Sequence, residues 1–345
     1  MSAMIASSLR ERRLECGLTQ AELAVRAGVS RQLVAAVETG RNVPAVEAAL
    51  GLARALATTV EELFADRQPH VVAALGGLLR DGVAVRVGRV GERLVVAELP
   101  DHGVSGAGWA TPDGTCDSDG LRLFAGASPA GAVIAGCDPA IGLAETLLDG
   151  TGPRRLLAIS APTGTALRAL QQGGVHAAIV HGVPHRLPAP TVPVIRWHLA
   201  RWQVGLGVPP KLGGHSFEAV LRGKATIVGR DPAAASQQAF ERARVAAGIE
   251  PVAYGPSATG HLDAARIAAT IDGVAVTTAS AAHAFDLSFL PLEDHTVEIW
   301  VAARWRDHSG IAALGEVLAT GAFTQRLARL GGYDLTDCGQ RVDPA

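Results

Sequence analysis

The chain has 345 residues, a length that divides more naturally into two or three domains than into one core. Hydrophobic residues make 48% and charged residues 19%, which excludes a disordered chain, and no long unbroken apolar run suggests a membrane-spanning helix. The net charge of -2 does not by itself single out nucleic acid as a partner.

Four cysteines (Cys16, Cys116, Cys137 and Cys338) are scattered with no C-x-x-C pair, so reduced thiols are expected, with neither a disulfide frame nor a zinc knot. The chain meets Arg10, Arg12 and Arg13 only after a short, weakly apolar start. That order is wrong for a secretory signal, and a cytoplasmic location is expected.

Thr19-Gln-Ala-Glu22 has the spacing of a capping box, and Leu23, Ala24 and Ala27 give the helix behind it an inward face. Gly28 is placed to stop that helix, because glycine reaches positive φ without strain. Ser30 is placed to start another, with Val34 and Val37 inward at helical spacing. Two helices this short need a shared core and must cross steeply, which is the logic of a helix-turn-helix. A second capping box is expected at Thr59-Val-Glu-Glu62.

On Leu-Thr-Gln-Ala-Glu-Leu-Ala, Ala-Gly-Val-Ser-Arg and Val-Glu-Thr-Gly-Arg-Asn-Val-Pro, residues 5–65 resemble the DNA-binding domain of the XRE (Cro and λ repressor) family. The resemblance implies double-stranded DNA as partner, with Gln20 touching a phosphate or supporting the recognition helix. Ser30, Arg31 and Gln32 would open that helix, Arg31 and Gln32 facing base edges. Ala35 and Ala36 would keep its face small, and Arg41 and Asn42 would meet phosphates. Residues 1–65 hold seven arginines and seven acidic side chains, so binding must depend on where the arginines sit. A homodimer, doubling each contact on a palindromic site, is expected.

From Asp66 the composition changes. Val83 to Val87 and Leu94 to Leu99 alternate around Gly91 as a hairpin, and Asp101 to Gly120 reads as a loop. Apolar strands then alternate with helices: GAVIAG before Cys137-Asp-Pro139, RRLLAIS before Ala161-Pro-Thr-Gly-Thr165, ATIVG before Arg230-Asp-Pro232. This is an α/β pattern, and each junction sets a helix start at a strand end, where free amides attract anions. Asp138 and Asp231 read first as N-caps.

Residues 120–335 resemble the molybdate-binding, periplasmic-binding-protein-like domain found fused to DNA-binding domains in bacterial regulators. Gly136-Cys-Asp-Pro-Ala140, Thr163-Gly-Thr165, Gly174-Val-His-Ala-Ala178 with His181, Arg201 to Val208 and Gly331-Gly-Tyr-Asp334 carry the likeness. It implies two α/β lobes joined by strands crossing near Val192 to Val208 and Leu290 to Ala303. It also implies a ligand site of Cys137, Asp138, Thr163, Gly164, Thr165, His181, Arg230 and Ser236. One departure stands out: where the family has a Gly-Ser-Gly-Thr-Arg type of oxyanion turn, this chain has Ala233-Ala-Ala-Ser236-Gln237.

The expected fold is therefore an all-α helix-turn-helix domain (1–66), a linker with a small hairpin (67–118) and a two-lobed α/β ligand domain (119–345). His176 and His181 fall on opposite faces of one strand, so no metal is expected from the His176, His181, His185 series. No G-x-S-x-G, P-loop or H-E-x-x-H motif is present, and neither an enzyme nor a cofactor is expected. The function expected is a regulator answering to a small anionic effector. A ligand-free dimerisation scaffold, a sensor of an organic molecule, and an enzyme carrying a DNA-binding tag are the alternatives.

Overall fold

The structure is a computed structural model that describes residues 9–10, 12–14, 16–64, 70–99, 104–105, 108–148, 154–223 and 225–342, with the backbone alone for 61–62, 104–105 and 108–109. It divides into two compact units, Met1–His70 and Val71–Ala345.

In the first unit, helical residues 9–10 and 12–14 precede α1 (Gln20–Ala27), α2 (Arg31–Glu38), α3 (Val46–Ala55) and α4 (Val60–Phe64). The capping box forms: Thr19 Oγ1 accepts from the Glu22 amide at 3.2 Å, and the Glu22 carboxylate accepts from the Thr19 amide at 2.7 Å. Gly28 closes α1 at φ 69°, and Ser30 Oγ accepts from the Leu33 amide at 3.1 Å to open α2. Leu9, Leu23, Val34, Val37, Leu52 and Leu56 form the shared core. A Cβ on Gly51 would stand 2.4 Å from the Ala27 carbonyl oxygen, so α1 and α3 cross closer than a side chain there would permit. The Glu62 side chain of the second capping box lies outside the described residues.

The second unit is built on two strands of 15 residues each, β11 (Val194–Val208) and β15 (Ser288–Ala302), paired antiparallel from Val194↔Ala302 to Val208↔Ser288. The two crossings fall where the family resemblance implies. One end of this ribbon carries β10 (Ala177–Gly182), β8 (Ala132–Gly136) and β9 (Leu156–Ser160); the other carries β14 (Val274–Thr278), β12 (Ile227–Arg230) and β13 (Tyr254–Ala258). One lobe thus gathers around β8–β10 and another around β12–β14. The first holds α5 (Ala140–Leu147) and α6 (Thr163–Gln172), the second α8 (Ala235–Ala246), α9 (His261–Ile271) and α10 (Ala279–His283). The short α7 (Phe217–Arg222) follows β11, while α11 (Ser309–Leu318) and α12 (Gly321–Arg329) pack back on α5, followed by β16 (Arg341–Val342) against β11.

Residues 71–123 differ from the expected linker. The hairpin is there, as β2 (Val83–Val90) and β3 (Arg93–Glu98), but it is the centre of a five-stranded sheet. Its other strands are β1 (Val71–Ala73), β6 (Gly114–Asp117) and β7 (Gly120–Leu123), and β6 lies inside the stretch read as a loop. A separate two-stranded piece, β4 (Val104–Ser105) with β5 (Gly108–Trp109), lies between β3 and β6 in the chain. Val90 and Val95 share a buried cluster with Val133, Leu157 and Leu170, and Arg89 and Val87 exchange backbone bonds with Ala130. The segment is therefore a wall of the first lobe. Among the described residues no helix is long and apolar enough to cross a membrane.

Candidate functional site

The helical unit presents one polar surface. Val34, Val37 and Glu38 point α2 inward, which leaves Arg31 and Gln32 exposed and Ala35 and Ala36 half-buried on the outer side. Arg41 and Asn42 are exposed just beyond, held by backbone bonds from both to the Ala36 carbonyl. Gln20 takes the supporting role: its Nε2 donates to Glu38 at 2.8 Å. Glu38 in turn receives Arg13 Nε at 2.5 Å and Nη2 at 3.1 Å, while Arg13 Nη1 donates to the Leu18 carbonyl at 2.7 Å. Burial pulls the Glu38 carboxyl up, but the bonds from Arg13 and Gln20 outweigh it and hold it below the usual range.

In the α/β unit the chemistry collects between the lobes. From the first lobe, Cys137 Sγ lies 3.1 Å from His181 Nε2, and His181 Nδ1 lies 3.0 Å from Nδ1 of His295 on β15. His295 Nε2 meets Glu293 at 2.7 Å. Arg242 also binds Glu293, and its guanidinium with His295 keeps that carboxyl low against the upward pull of burial. An ionised Glu293 only accepts, so His295 donates from Nε2, His181 from Nδ1 and Cys137 from its thiol, in one direction along the chain of bonds. From the second lobe, Arg230 Nη1 reaches His261 Nδ1 at 3.3 Å and the Val276 carbonyl at 3.4 Å. The lobes meet at Gly260, where a Cβ would stand 3.1 Å from Ser160 Oγ.

Five buried side-chain atoms of this region have no hydrogen-bond partner among the described residues: Thr163 Oγ1, Arg230 Nε and Nη2, Ser236 Oγ and His261 Nε2. A recess of about 80 Å³ runs beside Cys137, Ser160 and His261, and a cavity of about 440 Å³ beside Thr163, Gly164, His181 and Ala235. A larger opening of about 680 Å³ lies beside α5, but there Arg86 is paired with Glu145 and Arg155 with Asp113.

Residues 145–319 match the model of the PBP superfamily domain, about half of the chain, and residues 9–63 match the helix-turn-helix model. The chain belongs to the PBP superfamily and carries a helix-turn-helix head. A curated relative, an uncharacterized HTH-type transcriptional regulator of Methanothermobacter thermautotrophicus, is 49% identical over 57 residues, which are 16% of this chain and 83% of that protein. The restriction-modification controller protein C.AhdI from Aeromonas hydrophila is 37% identical, covering 18% of this chain and 94% of its own, with a TM-score of 0.18. The effector binding domain of QuiR in complex with shikimate is 10% identical over 58% of this chain and 97% of its own, with a TM-score of 0.41. The family matches and the curated relative make the protein an HTH-type transcriptional regulator with a PBP superfamily domain.

Within the PBP domain and the Cys137 turn before it, the expected site residues separate. Thr163, Gly164 and His181 line one cavity with Ala235, Cys137 lines the recess beside His261, Arg230 reaches His261, and Ser236 is fully buried in α8. Asp138 does not offer itself to a ligand, because Trp202 Nε1 at 2.7 Å, Tyr333 Oη at 2.9 Å and the Ala140 amide at 2.8 Å use its oxygens. It caps α5 and braces β11 and the C-terminal segment. Thr165 also departs: its hydroxyl accepts from Arg168 at 3.0 Å, on the next turn of its own helix. His176 is structural, with Nδ1 accepting from the Val133 amide at 3.0 Å; burial, with His308 and Arg304, pushes it down to about 3.

His261 and His295 were missed. His261 follows Thr259-Gly260 at a helix start after a strand, the same junction logic that flagged Cys137 and Thr163, so a signal existed. His295 had none, since only the pairing of β15 with β10 brings it to His181.

Burial is the dominant influence on the cluster. It pushes the Cys137 thiol up to about 11 against the pull of Arg230, and it carries His181 and His261 well below their ordinary values. It also lowers Arg230, which is 4% exposed, although Cys137 partly restores it. An arginine nevertheless stays charged in a protein, so a guanidinium sits here with two free donors and no bound carboxylate among the described residues.

Proposed function

We propose that this regulator binds double-stranded DNA as a homodimer through the outer face of α2, and that a small anion seated between the PBP lobes sets its DNA affinity. The observation that carries the reading is Arg230. A buried, unpaired guanidinium is costly, and the natural relief is an anion accepting from Nε and Nη2 in a forked, charge-assisted geometry. The buried hydroxyls of Thr163 and Ser236, which have no partner among the described residues, are further donors.

Molybdate and tungstate are candidates from the resemblance of this domain to molybdate-binding ones. The Ala233-Ala-Ala stretch removes hydroxyl and glycine-turn donors, which favours an organic carboxylate held mainly by Arg230. An anion that prefers the closed arrangement of the lobes shifts the population toward it, and DNA affinity follows if the two forms place the heads differently. On DNA, Arg31 suits guanine O6 and N7, Gln32 suits adenine, and Arg41 and Asn42 suit phosphates.

The test is titration calorimetry with molybdate, tungstate, sulfate, phosphate and a carboxylate panel on the full chain and on Arg230→Met, with operator binding followed by fluorescence anisotropy. Binding of one anion at micromolar level, its loss in Arg230→Met and a change in operator affinity are expected. Binding that survives Arg230→Met would place the effector elsewhere. If no anion binds, the domain is the scaffold of the alternative reading.

A further inference from the structure

We propose that Cys137, His181 and His261 form a zinc site between the lobes, next to Arg230, whose Nη1 touches His261. One donor atom from each lies within 4.8 Å of the others, and all three residues are buried. A thiolate with two imidazoles is a donor set that suits zinc. Zinc–sulfur bonds of about 2.3 Å and zinc–nitrogen bonds of about 2.0–2.1 Å in a tetrahedron hold the donors roughly 3.3–3.5 Å apart. The Cys137–His181 distance of 3.1 Å is already close to that, and His261, within 4.8 Å, has to move inward to complete the trio.

The surroundings are those of a prepared ligand set. His181 donates from Nδ1 to His295, and His295 donates to Glu293. That relay leaves the Nε2 lone pair of His181 aimed at Cys137, the orientation that a second layer of bonds gives to metal-binding histidines. His261 is fully buried with Nε2 lacking any partner among the described residues, so that atom is free to ligate. Arg230 Nη1 donates to Nδ1 in the metal-free arrangement, so ligation moves the ring proton from Nε2 to Nδ1, breaks that contact and leaves Arg230 Nη1 on the Val276 carbonyl.

On binding, zinc displaces the Cys137 proton to solvent and a sulfur–zinc bond replaces the S–H···N contact with His181. The thiolate offsets one of the two metal charges. The Arg230 cation opposes the remainder, which leaves the fourth position for water or an anion.

The experiment strips the full chain with a chelator, reloads it with zinc alone, desalts it and measures metal by elemental analysis. One zinc per chain is expected, with a thiolate-to-cobalt charge-transfer band when cobalt(II) replaces zinc. Cys137→Ser, folded by circular dichroism, loses the band and weakens zinc about a hundredfold or more, while Cys16→Ser, at an exposed thiol, changes neither. His295→Gln keeps the band and weakens zinc by about tenfold to a hundredfold, a readout that stands even if Cys137→Ser fails to fold. No retained zinc in the wild type, an unchanged band in folded Cys137→Ser, or unchanged affinity in His295→Gln would overturn the proposal.

Discussion

Each unit buries an arginine, and the two are treated in opposite ways. Arg13 is 7% exposed and all its donor groups are used, on Glu38 and the Leu18 carbonyl. Arg230 is 4% exposed and among the described residues only its Nη1 has partners. In the helical unit the buried charge locks α2, and the exposed polar groups, Arg31 and Gln32, face outward. In the α/β unit the unpaired groups face inward. A surface that reads a flat or grooved partner displays its donors, whereas a cleft that encloses a small molecule keeps them dry and unsatisfied until the molecule arrives.

The largest effect is expected where that contrast is sharpest. Arg230→Met should weaken anion binding by about 2–5 kcal/mol, since a buried charge then loses its partner. In the absence of anion it should leave the thermal midpoint unchanged or raise it, because an uncompensated charge is removed. Calorimetry for binding and scanning calorimetry for stability check the two halves. A midpoint several degrees lower without ligand would make Arg230 a structural group like Arg13 and end the contrast.

Glu38→Ala is the converse case. It leaves Arg13 buried without its partner and should destabilise the helical unit by about 3 kcal/mol, at the low end for buried pairs because the unit is small. Hydrogen exchange should report faster opening across residues 16–64 and unchanged protection in β10, β11 and β15. The pair also predicts acid sensitivity. Glu38 is held below its unfolded value, so its stabilisation is present above an ordinary glutamate pKa of about 4.3 and is lost as the pH falls through the lower folded value. Protection in α2 that stayed constant through that window would contradict the role assigned to the pair.

Arg31→Ala should reduce discrimination between operator and random DNA by about 1–3 kcal/mol without moving the stability of the unit, as Arg31 is exposed. Competition anisotropy with the two duplexes measures it. An unaltered ratio would mean that another face of the head reads the bases.

The smallest expected effect sets one serine against another. Ser30 Oγ caps α2, so Ser30→Ala should cost about 1 kcal/mol. Ser236 Oγ has no partner among the described residues, so Ser236→Ala should cost nothing without ligand, since no bond is broken. Equal losses in denaturant titrations would show that Ser236 has a structural bond and no free donor for an anion.

The helix-turn-helix was legible because its determinants are local. A capping box spans four residues, a positive φ at Gly28 needs only glycine, and inward Val34 and Val37 follow from helical spacing. The strand-to-helix junctions at Cys137, Thr163 and Arg230 were legible for the same reason. Asp138 was misread as a ligand group because its partners, Trp202 and Tyr333, are brought to it by distant strands. Residues 67–118 read as a linker with a hairpin because the pairing of this stretch with itself and with the first lobe joins segments far apart in the chain.

By itself, then, the sequence determined the helix-turn-helix, the β2–β3 hairpin and the strand-to-helix junctions with the donors that stand there, since each depends on bonds closed within a turn or on side-chain alternation. The tertiary structure alone decided that Cys137, His181, His261, His295 and Arg230 meet. Their meeting follows from sheet order: β11 and β15 run through both lobes, β10 joins them at one end and β12 and β14 at the other. No spacing along the chain encodes that order, because strand pairing is selected by burial and register summed over the whole sheet.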